Sequence, residues 1–153
     1  MRSLLLLAGL MAAAGPLTAQ GTFEVQAQGV ATVTGREFVG GGLGLAYRTG
    51  GRTRVGLLMS LGGSQGSDGG WGFAGRGEAL VSYHLNPYRR HGFTPYAGGG
   101  VSVTLNEENN TQYLLLVLGV ESNPGGRTGF FADVGIAGGL RLSAGFQVRT
   151  GRR

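Results

Sequence analysis

The sequence contains no cysteine and no lysine. Without cysteine there is no disulfide framework and no thiolate metal centre. Charge of either sign is scarce, at 14% of residues, against about 25% in an average soluble domain. A disordered chain has the opposite composition, poor in apolar residues and rich in charge. Proline occurs only four times, and the 33 glycines follow no Gly-x-y period, which excludes collagen. So many glycines also argue against a helical bundle, since each one inside a helix costs about 1 kcal/mol relative to alanine. Beyond residue 20 no uncharged apolar stretch approaches the roughly 20 residues of a membrane-spanning helix. What remains is an all-β protein of single-domain length. All 13 basic residues are arginine, against 8 acids. They lie largely in turns and at the C-terminus rather than along one periodic face, so a nucleic-acid interface lacks its electrostatic footprint.

Residues 1–19 read as a secretory signal peptide. Arg2 supplies the positive start, Leu4 to Ala14 is an apolar run of 11 residues, Gly15-Pro16 breaks it, and Leu17-Thr18-Ala19 offers a small residue at the cleavage point. The run is too short for a spanning helix. Residues 20–153 are then expected to form one barrel domain.

That domain repeats one pattern: about ten residues of alternation, then a turn rich in Gly, Asn, Pro or Ser. Eight segments follow it, Phe23–Thr34, Phe38–Tyr47, Thr53–Gly62, Gly72–Leu85, Phe93–Leu105, Gln112–Glu121, Thr128–Ala137 and Leu140–Val148. One parity is apolar throughout, as in Leu43, Leu45, Val55, Leu57, Met59, Leu114, Leu116 and Leu118, and carries no charge. The other parity carries Glu24, Gln26, Arg54, Arg76, Glu78, Ser82, His84, Tyr96, Glu121, Asp133, Arg141 and Gln147, interspersed with glycine. Eight segments of this length suit a closed, antiparallel, up-and-down transmembrane barrel, whose tilted strands need 9–11 residues to cross.

A soluble carrier would turn the apolar face inward; a membrane barrel turns it toward lipid. Three features favour lipid. The polar face mixes acids and arginines with small residues, as a narrow eight-stranded lumen demands. Tall aliphatic side chains on all eight strands would overfill that lumen. A soluble exterior would also carry more charge than the polar face has. The connections differ in sign. With both termini in the periplasm, the arginine-rich turns Arg48–Arg52, Asn86–Gly92 and Ser122–Arg127 and the tail Arg149–Arg153 are periplasmic, while Gly35–Glu37, Gly63–Gly70, Asn106–Thr111 and Gly138-Gly139 are outer and lean acidic or neutral. Phe23, Tyr47, Tyr83, Tyr88, Phe93 and Phe130 fall near the first rim, and Trp71 and Phe73 near the second, as interfacial aromatic girdles do.

Chemistry-bearing residues are few. Ser82, His84 and Glu78 share one strand face, a loose nucleophile–base–carboxylate set. Glu24, Arg76, Glu78, Glu121, Asp133 and Arg141 are expected to form a lumenal ion-pair network, since buried charges must pair. Gly40–Gly42 and Gly98–Gly100 sit mid-strand and open no helix, so they are not phosphate loops. Glu107-Glu108 is an ordinary acidic loop. No cofactor, metal site or catalytic residue is expected.

Several stretches carry a resemblance: Asn86-Pro87-Tyr88 followed by Phe93-Thr94-Pro95-Tyr96-Ala97-Gly98-Gly99-Gly100-Val101, then Phe130–Val134, then Leu140–Arg149. In these the chain resembles the small bacterial outer-membrane β-barrels of the outer-membrane protein A and opacity-protein superfamily. The resemblance implies an integral outer-membrane barrel with a structural or surface-interaction role, outer-membrane lipids as surroundings, and a last strand (Leu140, Leu142, Phe146, Val148) read by the barrel-assembly machinery. That group often ends on an aromatic residue, whereas this chain runs on to Arg149-Thr150-Gly151-Arg152-Arg153. Two alternatives are a secreted or periplasmic soluble barrel binding a small apolar ligand, and a barrel enzyme modifying lipid A.

Overall fold

A computed structural model describes residues 21–34, 37–49, 51–66, 69–106 and 110–150. The expected leader, residues 1–19, and the Glu107-Glu108 loop lie outside the described residues. Eight strands form one closed barrel in chain order: β1 (Thr22–Val33), β2 (Phe38–Arg48), β3 (Thr53–Gln65), β4 (Trp71–His84), β5 (Phe93–Asn106), β6 (Asn110–Ser122), β7 (Thr128–Ile136) and β8 (Leu140–Thr150). Every neighbouring pair is antiparallel, and β1 closes on β8 through pairs such as Val25↔Val148 and Ala27↔Phe146. Closure leaves no sheet edge along most of the wall. The exception is β6, which pairs with β7 only from Leu116 to Glu121.

Strand ends differ from the sequence expectation in an instructive way. Gly63-Ser64-Gln65 reads as loop by composition, yet it belongs to β3, where it pairs with Phe73, Gly72 and Trp71. The ladder satisfies those backbone groups, and ladder pairing outranks a local preference for turns. Likewise β2 continues to Arg48, opposite Arg54, and β8 continues to Thr150, opposite Phe23.

The alternation resolves into an outside and an inside. Met59 is 74% exposed and Leu43 67%, whereas Glu24 is 1% and Arg141 2% exposed. The apolar face therefore points outward on every strand. Exposed aromatics gather at both rims, with Phe23, Tyr83, Tyr88, Phe93 and Phe130 at the end where β1 starts and β8 finishes, called the terminus end below, and Trp71 and Phe73 at the other. Phe23 meets Tyr47 edge-on at 5.0 Å, and Phe130 meets Phe146 at 5.3 Å.

Glycine on the inner face lets neighbouring strands crowd together. At Gly100, opposite Leu80, a Cβ would overlap the Ala79 carbonyl oxygen. Gly138 turns the chain into β8 with φ near 74°, a left-handed conformation that suits glycine, and a Cβ there would strike the Tyr113 ring. Connections are short: among the gaps between strands the longest spans residues 85–92, at the terminus end. Replacing Gly100 by valine is expected to cost about 1–3 kcal/mol, as overpacking does. It should appear as a lower urea midpoint for the folded band of the micelle-refolded chain. Gly29→Ala, at a site with nothing within 4 Å, should leave that midpoint unchanged.

Candidate functional site

The barrel's only concentration of chemistry among the described residues is its lumen, and the lumen is layered. At the terminus end, Glu24 of β1 and Glu121 of β6 are wholly buried and face three guanidinium groups. Arg48 donates from Nε to Glu24 at 2.9 Å and from Nη2 to both Glu121 oxygens at 2.8 and 3.0 Å. Arg54 Nε lies 2.8 Å from Glu24. Arg149 lies 3.3 Å from each carboxylate, and its Nη1 donates to the carbonyls of Asn123 and Gly126, both at 3.0 Å. Gln147 adds a 3.2 Å bond to Glu121 and accepts one from Gln26 at 2.8 Å. One layer thus ties together β1, β2, β3, β6 and β8.

A second layer lies toward the opposite end. Arg141 of β8 grips Glu78 of β4 with Nε at 3.0 Å and Nη2 at 2.7 Å, and its Nη1 bonds Asp133 of β7. Arg76 donates to Glu78 and Ser102, both at 2.9 Å, with its guanidinium 5.6 Å from the Phe38 ring centre. Tyr96 donates to Asp133 at 2.8 Å, and Ser143 does so at 2.9 Å.

Between the two layers the filling is aliphatic on the β4 and β6 side, while β1 contributes the buried amide of Gln28. On the inner face of β4, Leu80 separates Glu78 from Ser82 and His84, and it packs on buried Tyr96, Leu115 and Val117. The lumen expected from sequence was polar; the inward positions of β6 at Leu115 and Val117 supply aliphatic bulk instead.

The six expected network residues, Glu24, Arg76, Glu78, Glu121, Asp133 and Arg141, all lie in the lumen but in two separate groups. Glu24 and Glu121 stand in the first, the other four in the second. The sequence reading left out Arg48, Arg54 and Arg149. It assigned Arg48 to a turn and Arg149 to the tail, and the structure corrects both: each is 6% exposed and faces inward. The signal was there. Arg48 continues the inward parity of Gly44 and Ala46, and Arg149 that of Ser143 and Gln147. Leu140, Leu142 and Phe146 face outward on β8, with Val148 half-buried beside them.

The suggested Ser82–His84–Glu78 set also changes. Ser82 Oγ lies 3.1 Å from His84 Nε2, but the carboxylate near Nδ1 is Glu121, at 3.5 Å. Glu78 is engaged with Arg76 and Arg141 in the other layer. A hydroxyl, an imidazole and a carboxylate in this order resemble a nucleophilic relay. Acyl transfer also needs space for a substrate beside the hydroxyl. Here Ser82 is 3% exposed and His84 and Glu121 are 0%, and the ring of His84 is covered by that of Tyr96 at 4.9 Å. The cavity at the other mouth, bordered by Phe38, Arg76, Thr104 and Tyr113, leaves about 10 Å³ for solvent, room for about one water.

An apolar wall facing out, aromatic rims and paired charge in the lumen give the chain the fold of small, eight-stranded outer-membrane β-barrels. Solved structures of that kind share the fold. The N-terminal β-barrel domain of Pseudomonas aeruginosa OprF superposes with a TM-score of 0.61 at 15% identity, over 86% of this chain and 98% of that one. Neisserial surface protein A gives 0.57 at 13% identity, over 85% and 97%. The outer membrane protein OprG from Pseudomonas aeruginosa gives 0.52 at 12% identity, over 88% and 98%. No protein-family model matches the sequence, and no curated protein matches it.

The terminus-end layer holds three guanidiniums on two carboxylates, so loss of one carboxylate leaves buried cations without partners. Glu121→Gln is expected to destabilise the barrel by about 3–5 kcal/mol, the cost of breaking a buried pair. Urea unfolding of the micelle-refolded chain measures it. Glu37→Gln, outside the lumen layers, is expected to change stability by less than about 0.5 kcal/mol.

Proposed function

We propose that the chain is an integral outer-membrane protein whose barrel is closed to solutes and carries out no catalysis, with a structural or surface-interaction role. The observation that carries this reading is the outward exposure of large aliphatic side chains on all eight strands, with no charged side chain among them. In water such a wall is an aggregation surface; in hydrocarbon it is the stable arrangement. Lipid anchors the wall, and the two ion-pair layers hold the strands together from within. The soluble-carrier alternative would need the aliphatic face inside, around a ligand cavity. An acyl-transfer role would need access to Ser82, which the packing around His84 denies.

Two partners belong to the reading. Outer-membrane lipids surround the wall, and the barrel-assembly machinery engages β8 through its outward residues Leu140, Leu142, Phe146 and Val148. The short connections support a role in which little protein stands clear of the bilayer.

The deciding experiment refolds the chain in detergent micelles and compares unheated with boiled samples on a gel. A mobility shift on boiling, obtained only when micelles are present, is the expected outcome; a chain that folds and stays soluble without detergent overturns the reading. A second measurement places a charge on the wall. Leu57→Arg, at a position 61% exposed, is expected to lower stability in bilayers by about 2–4 kcal/mol if it sits near the midplane. In a soluble barrel the same change on the outer surface would be tolerated.

A further inference from the structure

The charges that are not in the lumen are sorted by end. The connections at the terminus end, residues 49–52, 85–92 and 123–127, contain four arginines, Arg52, Arg89, Arg90 and Arg127, and no carboxylate. All four are exposed. The opposite connections hold Glu37, Asp68, Glu107 and Glu108 against Arg36 alone. A single-sign surface of this kind recruits an anionic partner.

The contacts of the arginines say what kind of partner. Two of the four, Arg52 and Arg89, are held against the rim. Arg52 donates from Nη1 to the Tyr83 hydroxyl at 3.1 Å, with its guanidinium 5.9 Å from the centre of that ring. Tyr83 is an outward residue of the aromatic rim, 49% exposed. Arg89 donates to the carbonyl of His91 at 2.8 Å and to that of Phe93 at 3.3 Å. Phe93 is another rim residue, 65% exposed. Arg127 stands one residue before β7, at the strand end that carries Phe130. Tyrosine and phenylalanine at a rim mark the level of the lipid headgroups. A guanidinium held beside them stands where a lipid phosphate stands, and its planar donors match phosphate oxygens in pairs.

We propose that the terminus-end rim, through Arg52, Arg89, Arg90 and Arg127, is a binding belt for anionic phospholipid headgroups. The belt selects the lipids of the leaflet that this end meets and fixes the depth at which the barrel sits. A soluble acidic protein is the competing occupant, but it would require cations free to leave the wall, whereas two of these four are bonded to rim residues.

The proposal rests on the membrane-barrel reading, and the test separates the two. The full chain is refolded into phosphatidylcholine vesicles and into vesicles of phosphatidylcholine and phosphatidylglycerol in equal parts. The heat-dependent gel shift scores insertion, and the lipids retained after mild detergent extraction are counted by mass spectrometry. Expected is insertion in both vesicles, with phosphatidylglycerol enriched several-fold over the bulk among retained lipids. That enrichment should fall as salt rises and should vanish in the combined variant R52Q/R89Q/R90Q/R127Q, which still inserts. The corresponding arginine-to-lysine variant should keep part of it. Retained lipid of bulk composition, or enrichment indifferent to the four substitutions, overturns the belt while leaving the barrel reading intact. Capture of polyglutamate in place of lipid also overturns it, in favour of an acidic protein. Failure to insert in either vesicle removes the barrel reading, and the belt with it.

Discussion

A chain that crosses hydrocarbon must satisfy its own backbone, because no water is present to accept a stray N–H or supply a stray C=O. The closed ladder of this molecule meets that requirement in full along most of its wall. Eight strands pair in chain order, and the β1–β8 ladder removes the last two edges. Closing so few strands leaves a narrow interior. The narrow interior in turn dictates what the inward positions hold: glycine where strands crowd, and long side chains only where they interlock.

The interlocking is electrostatic at the two ends and aliphatic in the middle. Burying a guanidinium and a carboxylate costs several kcal/mol for each ion, and only good geometry with further hydrogen bonds offsets it. The second layer meets that demand with a two-pronged Arg141–Glu78 contact and with Tyr96 and Ser143 on Asp133. The first layer meets it differently, by sharing two carboxylates among three arginines that come from β2, β3 and β8. It keeps one positive charge in excess of its carboxylates. Strands far apart in sequence are thereby bound across the lumen, so the layers brace the barrel as spokes brace a rim. Leu80, Tyr96, Leu115 and Val117 pack against one another between them.

Most of this architecture could be read from the chain, because one two-residue period runs through all eight strands and the two parities differ so sharply. The parity of Glu24, Glu78 and Arg141 is enough to send them inward. Which arginine meets which acid was not legible, because pairing across a lumen depends on shear and register rather than on separation in sequence. The ends of strands were the other weak point. Arg48 and Arg149 look like turn residues by composition, although their parity matches the inward residues before them, and pairing with neighbours extends the strands to include them. Leu115 and Val117 were obscured for the opposite reason. They stand in the apolar run from Leu114 to Leu118, where inward and outward residues look alike.

The strict alternation also governs how such a chain is free to change over generations. One residue inserted into β4 ahead of Arg76 would exchange the two faces from that point, sending Arg76 and Glu78 toward lipid and the neighbouring wall residues toward the lumen. Paired insertions preserve the faces but still displace the ladder. Length variation is therefore confined to the connections, and substitution is freest on the wall, where one aliphatic side chain serves nearly as well as another. A barrel of this design can therefore share its fold with others at very low residue identity, as this chain does with the superposed structures at 12–15%.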